Sequence, residues 1–192
     1  MSIKEINPLY FQEEIQVQLK ESLKQSKPQL LHIPHFFSIS FYESLLKEVE
    51  NSKEVHTKIP DKYSYSNIAT LDNLNFLKSK DFIRWLSDIT GKKIEKIKIQ
   101  IKKYGHKDYL LLHDSETIGE HLEFFILVMS SWDNRWGGYT VYVSQNQVPI
   151  IFPLEGNSFS LIAKEKDRHK FIQYINHYAG REKLTIIEGI AE

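Results

Sequence analysis

The chain has 192 residues, 41% hydrophobic and 12% aromatic, which suits a folded domain with a sizeable core and excludes a disordered chain. Its 25 basic and 25 acidic residues cancel, so no global field draws it to nucleic acid. Cysteine is absent, which excludes disulfide frameworks, thiolate zinc sites and thiol catalysis. The start, Met1-Ser2-Ile3-Lys4-Glu5, lacks the pattern of a signal peptide, and the longest apolar run, Phe124 to Met129, is too short to cross a bilayer. A soluble cytoplasmic protein without membrane contact is expected, organised as one domain over 1–192.

The first half, 1–95, reads as a helical support. Ile15, Leu19 and Leu23 lie four apart within Tyr10 to Lys24, the stripe of a first helix. Leu30-Leu31-His32-Ile33 reads as a short strand ending at Pro34. Ser38 or Ser40 can cap a second helix with Phe41, Leu45, Leu46 and Val49 on its apolar face. The stretch from Asn51 to Leu74 is polar and aperiodic, which predicts loop with short strands. Phe82, Trp85, Leu86 and Ile89 mark a third helix, which Gly91 stops.

The second half, 96–192, reads as strands. Ile97, Ile99 and Ile101 alternate with Lys98, Gln100 and Lys102 inside a strand predicted from Ile94 to Tyr104. Further strands are predicted over Asp108–Asp114, Leu122–Ser130, Tyr139–Ser144, Val148–Phe152, Ser158–Ala163, His169–Ile175 and Lys183–Ile187. Glycine- and asparagine-rich turns separate several of them. About eight short strands so closely spaced argue for a sandwich or jelly-roll barrel, mainly β with N-terminal helices.

Residues two apart on a strand share a face, so Tyr109, Leu111, His113 and Ser115 point one way, and Leu110, Leu112 and Asp114 the other. If the first face lines the barrel, His113 looks inward near a strand end, and His169, beginning another strand, can meet it across the mouth. Two imidazoles and a carboxylate on one face of an octahedron form the facial triad of non-haem Fe(II) oxygenases.

At these residues the chain resembles the Fe(II)/2-oxoglutarate dioxygenases, in their prolyl-4-hydroxylase-like branch, closest to the group acting on a ribosomal-protein proline. The likeness is carried by His32-Ile33-Pro34-His35-Phe36-Phe37, Leu86-Ser87-Asp88-Ile89-Thr90-Gly91, and Tyr104-Gly105 followed by Asp108-Tyr109-Leu110-Leu111 and His113. It continues through Trp132, Trp136-Gly137-Gly138, Asn157 with Phe159, His169 and Arg181, covering roughly residues 30 to 190. The resemblance implies a double-stranded β-helix (jelly-roll) barrel with Fe(II) as cofactor, 2-oxoglutarate as cosubstrate and ascorbate as reductant. It implies iron ligation by His113 and His169, and pairing of Arg181 with the far carboxylate of 2-oxoglutarate, with Lys183 the fallback and Tyr109 a further hydrogen-bond donor. The implied reaction is hydroxylation of an unactivated C–H bond, with a prolyl residue of a protein or peptide as substrate, or else a small molecule.

The family pattern is His-any-Asp, and Ser115 stands at its third position. Three readings follow. A bulge turns Asp114 or Glu116 toward the metal, making Asp114 the third ligand. Two histidines bind iron with the third place open, as in related halogenases. Or the barrel has lost iron and binds without catalysis. Plainer readings stand beside the sharper ones. Arg181 can be a solvated surface residue, Trp132 and Trp136 turn packing, and Tyr63 and Tyr65 a surface loop or a substrate lid. His106, His121 and His177 read as surface residues or supports. Lys92, Lys93, Lys96, Lys98, Lys102 and Lys103 read as a solvated face.

Overall fold

Each helix predicted from apolar spacing forms in the computed structural model, which describes residues 3–112, 120–145 and 147–192. The first, α1 (Glu13–Gln25), begins later than its stripe suggests, because Pro8–Phe11 makes a separate tight turn capped by the Asn7 side chain. The second, α2 (Ile39–Asn51), buries Leu45 and Val49. The third, α3 (Lys80–Thr90), starts where Ser79 Oγ accepts from the Phe82 amide and stops at Gly91, whose φ of 68° is left-handed.

Among the described residues, eleven strands form one strongly curled sheet. They are β1 (Leu30–Ile33), β2 (Glu54–Ile59), β3 (Tyr63–Ile68), β4 (Ile97–Tyr104), β5 (Tyr109–Leu110) and β6 (His121–Val128). They continue as β7 (Thr140–Val143), β8 (Ile150–Ile151), β9 (Ser158–Lys164), β10 (His169–Ile172) and β11 (Leu184–Ala191). The order is β1-β9-β6-β11-β4-β3-β5-β10-β7-β8, all neighbours antiparallel, with β2 paired to β3. The long strands β9-β6-β11-β4 make one wall and the short strands β5-β10-β7-β8 the other. Strand β3 joins them, pairing Ser66–Ile68 with β4 and Tyr63–Ser64 with β5. This is the jelly-roll barrel expected from the strand count.

Alternation along each strand sorts the core into two layers. On the outer face of the long wall, Ile97, Ile101, Phe124, Ile126, Phe159, Leu161 and Ile187 pack under the three helices. Rings dominate this layer, with Phe124–Phe159 at 5.2 Å, Phe82–Phe124 at 5.8 Å and Trp85–Phe159 at 5.8 Å between centroids. Between the walls lie Tyr104, Phe125, Leu127, Tyr142, Ile162, Ile172, Leu184 and Ile186. The hairpin β2–β3 was expected only as loop with short strands. Its buried positions are Ser64, Ser66 and Ile68, and with serines at two of the three no apolar alternation announces it.

Candidate functional site

Strand β5 carries the first candidate residues. Leu110 is buried between the walls, so Tyr109 faces the other way, its ring stacked on Tyr174 at 6.5 Å. The condition that the Tyr109 face lines the barrel therefore fails over the strand itself. Leu111 and Leu112 are both exposed. His113, Asp114, Ser115 and Glu116 lie outside the described residues.

His169 begins β10, opposite Val143, at the end toward which β5 runs. Lys170 and Ile172 face the interior opposite Tyr142 and Thr140, and His169 is exposed on the alternate side. Arg181 and Lys183 precede β11 on the helix side. They line a cleft of about 550 Å³ with Glu54, Lys103 and the end of α2, not the space between the walls. Lys183 pairs there with Glu54, which also meets Lys103 at 3.2 Å. Burial raises the Glu54 carboxyl, but the two lysines outweigh it and hold the group below its ordinary value. The structure thus leaves Arg181 and Lys183 together in the helix-side cleft, and Tyr109 and His169 on the outer face of the short wall. His169 does not have the inward placement expected of it, and Tyr109 and His169 do not line the cleft that holds Arg181 and Lys183. The cause is strand parity, which puts Leu110, Lys170 and Leu184 inward instead.

What does face inward at this end is a charged circuit that sequence reading missed. Lys102 Nζ donates to Glu188 Oε2 at 2.6 Å and stands 5.1 Å from the Tyr65 ring centre. Lys170 Nζ bridges Glu188 at 3.3 Å and Glu123 at 3.5 Å. Glu123 also takes hydrogen bonds from Tyr142 and His121, each 2.6 Å. Both glutamates are buried, at 4% and 7% exposure. Burial alone raises the Glu123 carboxyl; Lys170, with the hydrogen bonds from His121 and Tyr142, reverses this and holds it far below the usual carboxylate range. Glu188 behaves alike, raised by burial and brought below its ordinary value by Lys102 and Lys170 against repulsion from Glu123. Deeper in, burial and the nearby Glu188 push the Tyr104 phenol well up, so it stays protonated. Lys102 and Lys103 looked solvated only because their partners, Glu188 and Glu54, come from distant strands. The two tryptophans do pack a turn, ring centres 5.3 Å apart, with Trp132 Nε1 donating to the Gly137 carbonyl at 2.9 Å.

A curled antiparallel barrel with helices against its long wall is the architecture of the 2-oxoglutarate/Fe(II) oxygenases. A prolyl hydroxylase from Trichoplax adhaerens, solved with a hypoxia inducible factor oxygen degradation domain peptide, superposes with a TM-score of 0.71 over 95% of this chain and 91% of that one, at 12% identity. A prolyl-4-hydroxylase from Pseudomonas putida gives 0.70 over 91% and 98%, at 7% identity. At such identities these matches establish the fold. In sequence, residues 61–188 match the family described as oxoglutarate and iron-dependent oxygenase degradation C-term, and the chain belongs to that family. Prolyl 3-hydroxylase OGFOD1 of Mus musculus is 35% identical over 116 residues, 55% of this chain and 21% of that protein. Its counterpart in Xenopus laevis is 31% identical over 114 residues, 55% and 22%. The chain thus spans about a fifth of the length of the curated relatives it matches.

Iron needs three donors converging on one point, and no three His, Asp or Glu side chains do so among the described residues. A dicarboxylate between the walls needs a basic partner, and the inward lysines Lys102 and Lys170 already hold carboxylates. His113 and Asp114, the partners expected of His169 at an iron, lie outside the described residues, so the described residues alone do not make up that site.

Proposed function

We propose that this chain is a 2-oxoglutarate- and Fe(II)-dependent oxygenase that hydroxylates a prolyl residue of a protein or peptide. The observation that carries this reading is the family match over 61–188, joined to relatives named prolyl 3-hydroxylase at up to 35% identity. His113 and Asp114, outside the described residues, together with His169 are the ligands this reading requires. An anaerobic titration with Fe(II) and 2-oxoglutarate tests it through the visible charge-transfer band of the iron–keto-acid chelate. The band is expected in the wild type and lost in His113→Ala and Asp114→Ala. No band at millimolar iron refutes the reading. Substrate class is then read by mass spectrometry, as a one-oxygen gain on proline in a protein pool that requires both iron and 2-oxoglutarate.

One observation favours a second reading. Arg181 and Lys183 line the helix-side cleft, while Tyr109 and His169 lie away from it on the short wall. A jelly-roll barrel that has given up iron and serves as a protein-binding module accounts for this, and absence of the band together with a normally folded chain is its signature.

A further inference from the structure

We propose that β2 is an interface strand, which pairs antiparallel with the β2 of a second copy of this chain across a two-fold axis at Thr57.

Among the described residues, β1, β2 and β8 each have a single strand neighbour, and the three edges are not alike. Strand β1 has four residues between Pro28 and Pro34, and β8 has two between Pro149 and Pro153. Short length and flanking proline are ordinary ways of blunting a sheet edge, whose unpaired N–H and C=O groups otherwise recruit another strand. Strand β2 has neither protection. It is six residues long, contains no proline or glycine, and pairs along its whole length with β3 on one side only. It is also held in place, because Glu54 at its start is paired with Lys103 and Lys183. An edge fixed in advance loses little freedom when a second strand docks on it.

The side chains select the occupant. Val55, Thr57 and Ile59 share one face with their β3 partners Asn67, Tyr65 and Tyr63. Val55 is 69% exposed and Ile59 42%. With the axis at Thr57, Val55 meets the second copy's Ile59, Ile59 meets the second copy's Val55, and the two threonines face each other. Threonine opposite threonine is a favoured cross-strand pair, and the valine and isoleucine remove one another from water. On the other face Glu54 stays with its own lysines, and His56 lies across from Lys58 at the solvent rim. Roughly three residues of each strand turn their N–H and C=O to the free side, so about six backbone hydrogen bonds would cross the axis. A patch that answers itself in this way is what a closed two-fold dimer requires, and pairing consumes the edge, so assembly stops at two.

The test is sedimentation equilibrium of the full chain from roughly 10 µM to 1 mM, the range suited to a small edge-to-edge contact, with the fold of each variant checked by circular dichroism. The wild type is expected to pass from monomer to dimer within that range. Val55→Lys combined with Ile59→Lys sets like charges opposite each other twice and is expected to weaken the dimer by about ten-fold or more. Val55→Lys combined with Ile59→Glu sets opposite charges there, in the Thr57 register alone, and is expected to restore it. Both positions are exposed, so neither double variant disturbs the core. A wild type that stays monomeric throughout overturns the proposal. So does a dimer indifferent to the two lysines, or a lysine–glutamate chain that pairs no better than the lysine–lysine one. A monomeric chain whose β2 amides resist hydrogen exchange on their free side has a strand from elsewhere on this edge, which overturns it too. Neither iron nor 2-oxoglutarate enters the experiment, so its outcome is independent of the oxygenase reading.

Discussion

Adding one methyl group to β11 tests how completely the core layer beneath the helices is filled. Gly189 lies opposite Phe124 in the β11–β6 register, and the Cζ end of the Phe124 ring occupies the space a side chain there would need. A Cβ at Gly189 would stand 2.1 Å from Phe124 Cζ and 2.3 Å from Cε1, so the ring must leave its place. The ring cannot move freely, since Phe82 and Phe159 hold it at 5.8 and 5.2 Å. Overpacking of a filled core costs roughly 1–3 kcal/mol. Loss of glycine's freedom in the unfolded chain returns about 0.4–1 kcal/mol. Gly189→Ala is therefore expected to destabilise by about 1–2 kcal/mol, lowering Tm by roughly 2–8 °C for a chain of this size. Phe124→Leu removes the blocking ring, so the double variant should be more stable than the two single losses sum to, a coupling of at least about 0.5 kcal/mol. Urea unfolding of the four proteins of this cycle measures it. A Gly189→Ala chain as stable as the wild type, or losses that simply add, refutes the packing argument.

Asp108, buried, accepts from Ser64 Oγ at 2.6 Å and from the Gly105 amide at 2.9 Å, tying β3 to the turn before β5. Asp108→Ala leaves both donors unanswered and is expected to cost about 2–5 kcal/mol in denaturant unfolding, with Asp108→Asn milder. Asn157 has a φ of 58° and clamps Phe37 through both its backbone groups, 2.8 and 3.1 Å. Asn157→Gly keeps the backbone freedom and loses only the clamp, so it should retain more stability than Asn157→Ala by about 1 kcal/mol. Glu188 is held below its ordinary 4.5, so its ionised form adds stability above that pH and the contribution fades as pH falls below it. The stability gap between wild type and Glu188→Gln should narrow on acidification through this range; a gap constant with pH would show that the carboxylate charge contributes nothing.

The chain announced its architecture through elements whose own apolar spacing suffices. Phe82, Trp85, Leu86 and Ile89 define α3, and the isoleucines of β4 define the face beneath the helices. What stayed hidden depended on partners remote in sequence. The alternation of β4 separates Ile101 from Lys102, but nothing local reveals that Lys102 is buried, because Glu188 arrives from the last strand. The same holds for Lys103, held by Glu54 and the Val49 carbonyl. Strand β3 was legible only as one of the short strands expected between Asn51 and Leu74, because serines occupy two of its three buried positions and Ile68 alone is aliphatic. Among the site residues, motif order marked His169 at the start of a strand correctly, but order alone cannot fix which of two adjacent residues, His169 or Lys170, turns inward.

Strand β3 belongs to both walls, and this gives the barrel a closed side and an open one. On the closed side the walls cannot part without stripping β3 from β4 or β5. Among the described residues, the strand order ends at β1 and β8, each with a single strand neighbour. Breathing of the molecule is thereby directed to that seam. Solvent, denaturant or a small solute reaching the interior enters where β8 can lift, and amide exchange is expected to be fastest there and slowest along β11 and β6, which are paired on both sides.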